Sequence, residues 1–281
     1  MTHTSEQTLT RVTSRDGTEI GFWTSGEGPP LVLVHGGTAD HTRWRPVLPL
    51  LEPHRTVIAV DRRGRGASGD APGYRVEREF EDIAAVVAAA AQRSGGPVDL
   101  LGHSFGGLCA LGAATLTPNL RTLVLYEPPS VAGPEAFPPD LLERLEALLA
   151  DGAREVLLET FFREAVMMPD EELALFRTLP AWQGRIAAAH TLPRELRAVF
   201  DGGGFEPDRA ATIAVPALML LGGDSPALVR TETETVAAAL PDVRVAVLAG
   251  QQHIAIDTAP ELFAEHVLAF LGEASQGGSI R

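Results

Sequence analysis

Residues 98–107 read Val98-Asp99-Leu100-Leu101-Gly102-His103-Ser104-Phe105-Gly106-Gly107. An apolar run ends in Gly102-His103-Ser104-Phe105-Gly106, the pattern G-x-S-x-G, and a helix-compatible segment, Leu108 to Ala114, follows at once. Strand, tight turn and helix are the context that gives this pattern meaning; without them it is only a Gly-Ser turn. The two glycines let backbone pass close on either side, so the turn can hold Ser104 with its hydroxyl projecting. The N–H of Phe105 then opens a helix, where a developing oxyanion would be stabilised. Ser104 is the candidate nucleophile and Phe105 a candidate oxyanion donor.

The flanking chain repeats the same alternation. Upstream, Thr8–Thr13 and Glu19–Thr24 predict two strands joined by an Asp16-Gly17 hairpin turn. Pro30–Val34 and Arg55–Val60 are continuous apolar runs that suit buried parallel strands, with helices expected over His41–Leu51 and Glu77–Arg93. Downstream, strands are expected at Arg121–Tyr126, Val215–Leu221 and Val243–Leu248, and helices at 226–240 and 258–271. Ala274–Arg281 reads as a frayed tail. Alternating strand and helix imply βαβ units and an α/β fold with a mostly parallel sheet. The alternation stops over 131–212, which shows helical apolar spacing and no strand. The expected organisation is an α/β core formed by 1–130 and 213–281, with 131–212 as an inserted helical cap, or lid, more mobile than the sheet.

Composition excludes several classes. The chain has 281 residues, 45% hydrophobic and 21% charged, which suits a globular protein with a large core. Its net charge of −14 argues against nucleic-acid and anionic-membrane partners, which need a basic face. Cys109 is the only cysteine, so an intrachain disulfide and cysteine-based metal clusters are excluded. Met1–Thr10 is polar with no apolar leader core, and the longest apolar run, Ile83–Ala91, is too short to span a bilayer. A cytoplasmic protein is expected, with a small, largely apolar substrate as its partner; a homodimer is compatible with this composition.

Ser104, Asp224 and His253 each fall just past the C-terminal end of a predicted parallel strand, the edge where open parallel sheets bind ligands. A serine needs a base, and His253 supplies one near neutral pH. A carboxylate must fix the histidine tautomer. Asp224, in a Gly222-Gly223-Asp224 turn that can bend it back toward His253, is the expected acid. Glu127, after the strand Arg121–Tyr126, competes for the role, but Pro128-Pro129 behind it suits a structural hinge into the cap. Asp257, four residues past His253, is expected to point elsewhere. The loop after Val34 is placed to give a second oxyanion N–H, from Gly37 or its neighbour Thr38.

His35-Gly36-Gly37, Asp61-Arg62-Arg63-Gly64-Arg65-Gly66-Ala67-Ser68-Gly69, Gly102-His103-Ser104-Phe105-Gly106-Gly107, Gly222-Gly223-Asp224 and His253 together resemble the α/β-hydrolase superfamily over about residues 8–272. The resemblance implies an eight-stranded sheet flanked by helices, an inserted helical cap, and no metal or organic cofactor. It points toward small capped esterases, lactonases and meta-cleavage-product hydrolases. Superfamily epoxide hydrolases and haloalkane dehalogenases carry aspartate at the position of Ser104, which argues against both.

Expectations for other side chains are plainer. Arg62, Arg63 and Arg65 are expected to pair with Asp61 and surface carboxylates rather than hold an anion. His35 and His103 read as structural. Trp44, Phe161, Trp182 and His190 are the candidate substrate-binding residues, although each also suits core packing. The expected activity is a serine hydrolase cleaving a small ester, thioester or lactone through an acyl-enzyme. Two alternatives stand beside it: hydrolysis of a carbon–carbon bond in a diketone-like compound, or a biosynthetic cyclase or ligand-binding protein on the same fold.

Overall fold

The structure is a computed structural model and describes residues 6–130, 137–202 and 204–277. Eight strands form one sheet: β1 Thr8–Thr13, β2 Glu19–Ser25, β3 Pro30–Val34, β4 Thr56–Val60, β5 Val98–His103, β6 Leu120–Tyr126, β7 Ala217–Gly222 and β8 Val243–Leu248. Their order is β1-β2-β4-β3-β5-β6-β7-β8. β2 runs antiparallel to both β1 and β4, and every other pairing is parallel.

Twelve helices are described: α1 Leu48–Leu51, α2 Val76–Ser94, α3 Phe105–Ala114, α4 Leu141–Ala150, α5 Arg154–Glu164, α6 Asp170–Thr178, α7 Trp182–Ala188, α8 Leu192–Phe200, α9 Pro207–Ala210, α10 Ala227–Ala239, α11 Ala255–Thr258 and α12 Pro260–Gly277. The sheet is buried on both faces, which is why β3, β5 and β7 are apolar without alternation. Val32, Leu100, Leu123 and Met219 pack on one side with residues of α2, α3 and α10. Leu33, Leu101, Val124 and Leu220 pack on the other against α1 and α12.

The predicted strands all form, and two helix expectations need correction. His41–Leu51 is not one helix but a 3-10 turn, His41–Trp44, followed by the short α1. Pro46 and Pro49 lack an N–H and so cannot continue a helical hydrogen-bond ladder begun at His41; Pro49 is accommodated only in the first turn of the new helix α1, where no intrahelical N–H bond is needed. The expected tail from Ala274 instead continues α12 to Gly277, and residues 278–281 lie outside the described residues.

Parallel register levels the strand ends. Val34 pairs with Gly102, His103 with Tyr126, Tyr126 with Leu220, and Gly222 with Leu248. The loops after β3, β5, β6, β7 and β8 therefore open onto one edge. Helices α4–α9 intervene between β6 and β7; α4–α8 share a separate core that includes Leu145, Leu157, Phe162, Phe176 and Trp182, while Ala210 of α9 packs in the core on the sheet. Ile254, beside His253, packs into that core, so the helical insertion sits against the sheet's functional edge. Residues 131–136, the start of the expected cap, lie outside the described residues. No helix among the described residues is long and apolar enough to cross a membrane.

The opposite end of β5 carries a buried charge cluster. Asp99 is fully buried and accepts from Arg55 Nη1 at 3.1 Å, Arg121 Nε at 2.9 Å and the Thr122 hydroxyl at 2.7 Å.

Candidate active site

Ser104 sits between β5 and α3 with φ 54° and ψ −131°. Such a conformation in a non-glycine residue costs about 1–3 kcal/mol and persists only where the surroundings enforce it. The enforcement is visible. Ser104 N–H donates to the Tyr126 carbonyl at 2.8 Å, which ties the turn to β6. A Cβ on Gly106 would lie 2.3 Å from the carbonyl oxygens of Val34 and His35, and one on Gly102 would lie 2.4 Å from the Gly106 carbonyl. Both flanking glycines are thus required by close approach of backbone to backbone.

His253, in the loop after β8, donates from Nδ1 to Glu127 Oε2 at 2.6 Å. That bond leaves Nε2 as the basic ring nitrogen. Glu127 follows β6, has φ 44° and is buried. Its other oxygen, Oε1, accepts from the Gly222 N–H at 2.7 Å and the Ser225 hydroxyl at 2.5 Å. Burial pushes the Glu127 carboxyl up, but the bonds from His253, Ser225 and Gly222 outweigh it and hold it below the usual carboxylate range.

The expected acid, Asp224, does not reach His253. Its N–H donates to the Gln251 carbonyl at 2.9 Å, while Gly223 N–H donates to Leu248 at 2.8 Å, and its side chain is exposed. The turn that was expected to deliver Asp224 instead turns Gly222 and Ser225 inward around Glu127. Asp257 is engaged elsewhere, with Arg43 Nη1 at 2.5 Å.

Tyr126 and His103 hold the His253 loop. The Tyr126 hydroxyl donates to the Gln252 carbonyl and accepts from the Ala255 N–H at 3.1 Å. His103 donates from Nε2 to the His253 carbonyl at 3.0 Å and stacks on Tyr126 at 4.9 Å. Burial, then the nearby His253, hold His103 well below its ordinary pKa, so it is a neutral brace. His35 is a second neutral brace: Nδ1 donates to the Gly36 carbonyl at 2.8 Å and Nε2 accepts from the Arg62 N–H at 3.1 Å.

Ser104, His253 and Glu127 line one cavity of about 130 Å³, with Gly37 and Phe105 also in its wall. The helical insertion closes its far side through residues such as Phe161, Phe162 and Leu196. Thr38, next to Gly37, has φ 54° and donates its hydroxyl to the Gly37 carbonyl at 2.7 Å, which shapes the loop facing Ser104.

The sequence profile described as "Alpha/beta hydrolase family" matches residues 31–266. The chain belongs to the alpha/beta hydrolase family. An alpha/beta hydrolase structure from Sphaerobacter thermophilus is 39% identical with a TM-score of 0.81, covering 93% of this chain and 100% of that one. The esterase RhEst1 from Rhodococcus sp. is 25% identical with a TM-score of 0.72, covering 94% of this chain and 98% of its own. A 2-hydroxy-6-oxo-2,4-heptadienoate hydrolase from Pseudomonas putida is 32% identical over 200 residues, 66% of this chain and 68% of that protein.

Elsewhere in this alpha/beta hydrolase, the Asp61–Gly69 loop differs from expectation. Asp61 does not pair with the arginines; it accepts from His41 N–H and Nδ1, each at 2.8 Å, and from Trp23 Nε1 and Ala67 N–H, each at 2.9 Å. Arg63 pairs with Asp82 and Asp16. Arg62 pairs with Glu79 at 2.7 Å and with Glu195 of α8 at 3.1 Å, and Arg65 also pairs with Glu195. The two pairs to Glu195 tie the insertion to the loop after β4. Asp40, His41 and Asp61 bring ligand atoms within 4.8 Å of one another. The Asp61 oxygens and Asp40 Oδ1, which takes the Thr42 N–H at 2.8 Å, are already filled from within the protein.

Of the four candidate substrate-binding residues in this hydrolase, Phe161 lines the cavity. Trp44 is fully buried in the core beneath the sheet. Trp182 is buried in the insertion's own core and donates to Glu155 at 2.9 Å. His190 binds the Ala187 carbonyl at 3.0 Å and is not part of the described cavity wall. For Trp44 and Trp182 the apolar face that suggested a pocket is used for core packing. Arg43, Arg185 and Glu195, which do line the cavity, were missed. The available signal was an arginine three residues after Trp182, on the same inward stripe of α7.

Proposed function

We propose that the chain is a serine hydrolase that cleaves a small ester, thioester or lactone through an acyl-enzyme on Ser104, with Glu127 rather than Asp224 as the acid. The observation that carries this is the His253 Nδ1–Glu127 Oε2 bond at 2.6 Å in a cavity shared with Ser104. It leaves His253 Nε2 free to take the Ser104 proton as the hydroxyl attacks a carbonyl carbon. The N–H groups of Phe105 and Gly37 receive the developing oxyanion. His253 then returns the proton to the departing oxygen or sulfur, and water repeats the cycle on the acyl-enzyme. Ionised Glu127 stabilises the imidazolium formed in both halves. The inserted helices act as a lid that walls off the acyl-enzyme.

The relative named as a heptadienoate hydrolase favours one second reading, carbon–carbon cleavage of a diketone-like compound by the same three side chains.

Fluorophosphonate labelling and a p-nitrophenyl acetate burst test the proposal. Label on Ser104 and a stoichiometric burst are expected in the wild type, with neither in Ser104→Ala. An unlabelled, burst-free wild type would overturn it.

A further inference from the structure

Arg43, on the 3-10 turn His41–Trp44, and Arg185, on α7 of the insertion, both line the cavity that holds Ser104. Each is at most 5% exposed. Arg43 uses Nη1 on Asp257, and its Nε and Nη2 have no partner among the described residues. Arg185 pairs with no carboxylate among the described residues. Its Nη1 reaches only the Thr38 hydroxyl at 3.5 Å, its Nε has no partner, and its guanidinium lies 4.4 Å over the Phe176 ring.

Asp257 is therefore the one carboxylate bonded to either of these two buried cations among the described residues, and Asp257 and Asp40 act on Arg185 only through space. Burial, then the proximity of Arg43, push Arg185 down to about 9, so it stays charged near neutral pH at a large desolvation cost. The three carboxylates in the cavity wall are engaged elsewhere: Glu195 with Arg62 and Arg65, Glu127 with His253, Gly222 and Ser225, and Glu232 with the Ser130 N–H at 3.2 Å. The remaining wall is largely aromatic and aliphatic, including Phe161, Phe162 and Val166. A guanidinium with no carboxylate bonded to it in such a wall, and with donors still unused, is matched by an anion that enters with the ligand.

We propose that Arg43 and Arg185 form a carboxylate subsite, so that the substrate is a half-ester, or a comparable acyl compound, carrying a free carboxylate on a short apolar linker. The linker is short because Arg185 meets Thr38, and Thr38 in turn binds the carbonyl of Gly37 on the loop facing Ser104. One arginine comes from the sheet side and one from the insertion, so the bound carboxylate also draws the lid onto the core. This deepens, and rests on, the hydrolase reading of the same cavity.

Calorimetry on Ser104→Ala, which keeps both arginines and cannot turn over, tests binding apart from chemistry. Monomethyl glutarate is expected to bind at least about tenfold more tightly than dimethyl glutarate, the effect of a charge-assisted bond. Equal binding of the two overturns the subsite. With wild-type enzyme, the monoester-to-diester ratio of kcat/KM is expected to exceed about ten and to fall at least tenfold in folded Arg185→Met; an unchanged ratio overturns it. If the wild type turns over neither ester and takes no fluorophosphonate label, the hydrolase reading fails, and the calorimetric comparison still decides the subsite. The same holds if Arg185→Met does not fold.

Discussion

Glu127 and His253 lie 126 residues apart in the chain and are joined by a 2.6 Å hydrogen bond from Nδ1 to Oε2. Glu127 is fixed at its other oxygen by Gly222 and Ser225 at the end of β7. The loops after three neighbouring strands, β6, β7 and β8, thus converge on one carboxylate. Glutamate, one methylene longer than aspartate, spans from the end of β6 past β7 to the histidine loop. The next residues, Pro128-Pro129, stiffen the exit of the chain and leave the carboxylate where its φ of 44° aims it.

The first prediction separates the two carboxylates. Glu127→Gln is expected to lower kcat by about 10⁴-fold, as when a triad carboxylate becomes an amide and the histidine is held in the wrong tautomer. Asp224→Asn, exposed and away from His253, is expected to change kcat by less than about threefold, as surface substitutions do. The two kcat values measured side by side decide; a larger loss in Asp224→Asn would return the acid to position 224.

A second prediction concerns Ser225, whose hydroxyl supports Glu127 without reaching the cavity's reacting groups. Ser225→Ala removes one bond to an ionised acceptor and is expected to cut kcat by about tenfold. KM should stay within about twofold, because the hydroxyl positions the acid and does not bind substrate. Steady-state kinetics on one ester at saturating and limiting concentration would read both values.

Acid stability follows from the depressed carboxylates. Asp61 is pushed up by burial but held down to about 2 by its bonds from His41 and Ala67, against an ordinary value of 3.8. Its stabilisation is complete above about pH 3.8 and is lost as pH falls through about 2, amounting to about 2 kcal/mol. Glu127, also held below its ordinary value, acts in the same direction. Urea midpoints measured from pH 5 down to pH 2 should therefore fall, and Asp61→Asn should flatten the fall. An equally steep fall in that variant would remove Asp61 as a cause.

The charge cluster at the far end of β5 is structural. Asp99→Ala would leave Arg55, only 7% exposed in its side chain, without its carboxylate. Removing one partner of such a pair costs about 3 kcal/mol or more. Urea denaturation should show that loss, while kcat for the folded fraction stays near wild type because the cluster sits at the opposite end of the strand.

Much of this architecture is written locally. Short apolar runs rich in β-branched residues and bounded by turn signals suit strands covered on both faces, and glycines at 102 and 106 are needed for the backbone to turn at Ser104; such requirements are met within a few residues, so the sheet and the serine turn were legible. The break at 41–51 was legible too in Pro46 and Pro49, but Trp44, Val47, Leu48 and Leu51 at helical spacing masked it. Trp182 and His190 illustrate the opposite problem: an apolar stripe shows that a helix has a buried face without showing whether a core or a cavity lies beneath it. The choice between Glu127 and Asp224 lay beyond any local signal. Both follow buried strands that end on the same edge, and which carboxylate meets His253 depends on the register of β6, β7 and β8 and on how the Gly222–Ser225 turn bonds to its neighbours. That Arg185 has no bonded carboxylate among the described residues is likewise a property of the assembled cavity. The sequence by itself determined the strands, their order and the serine turn, because these rest on short-range sterics and burial; only the tertiary structure decided the partners of the polar side chains, because hydrogen bonds act over about 3 Å between residues that only folding brings together.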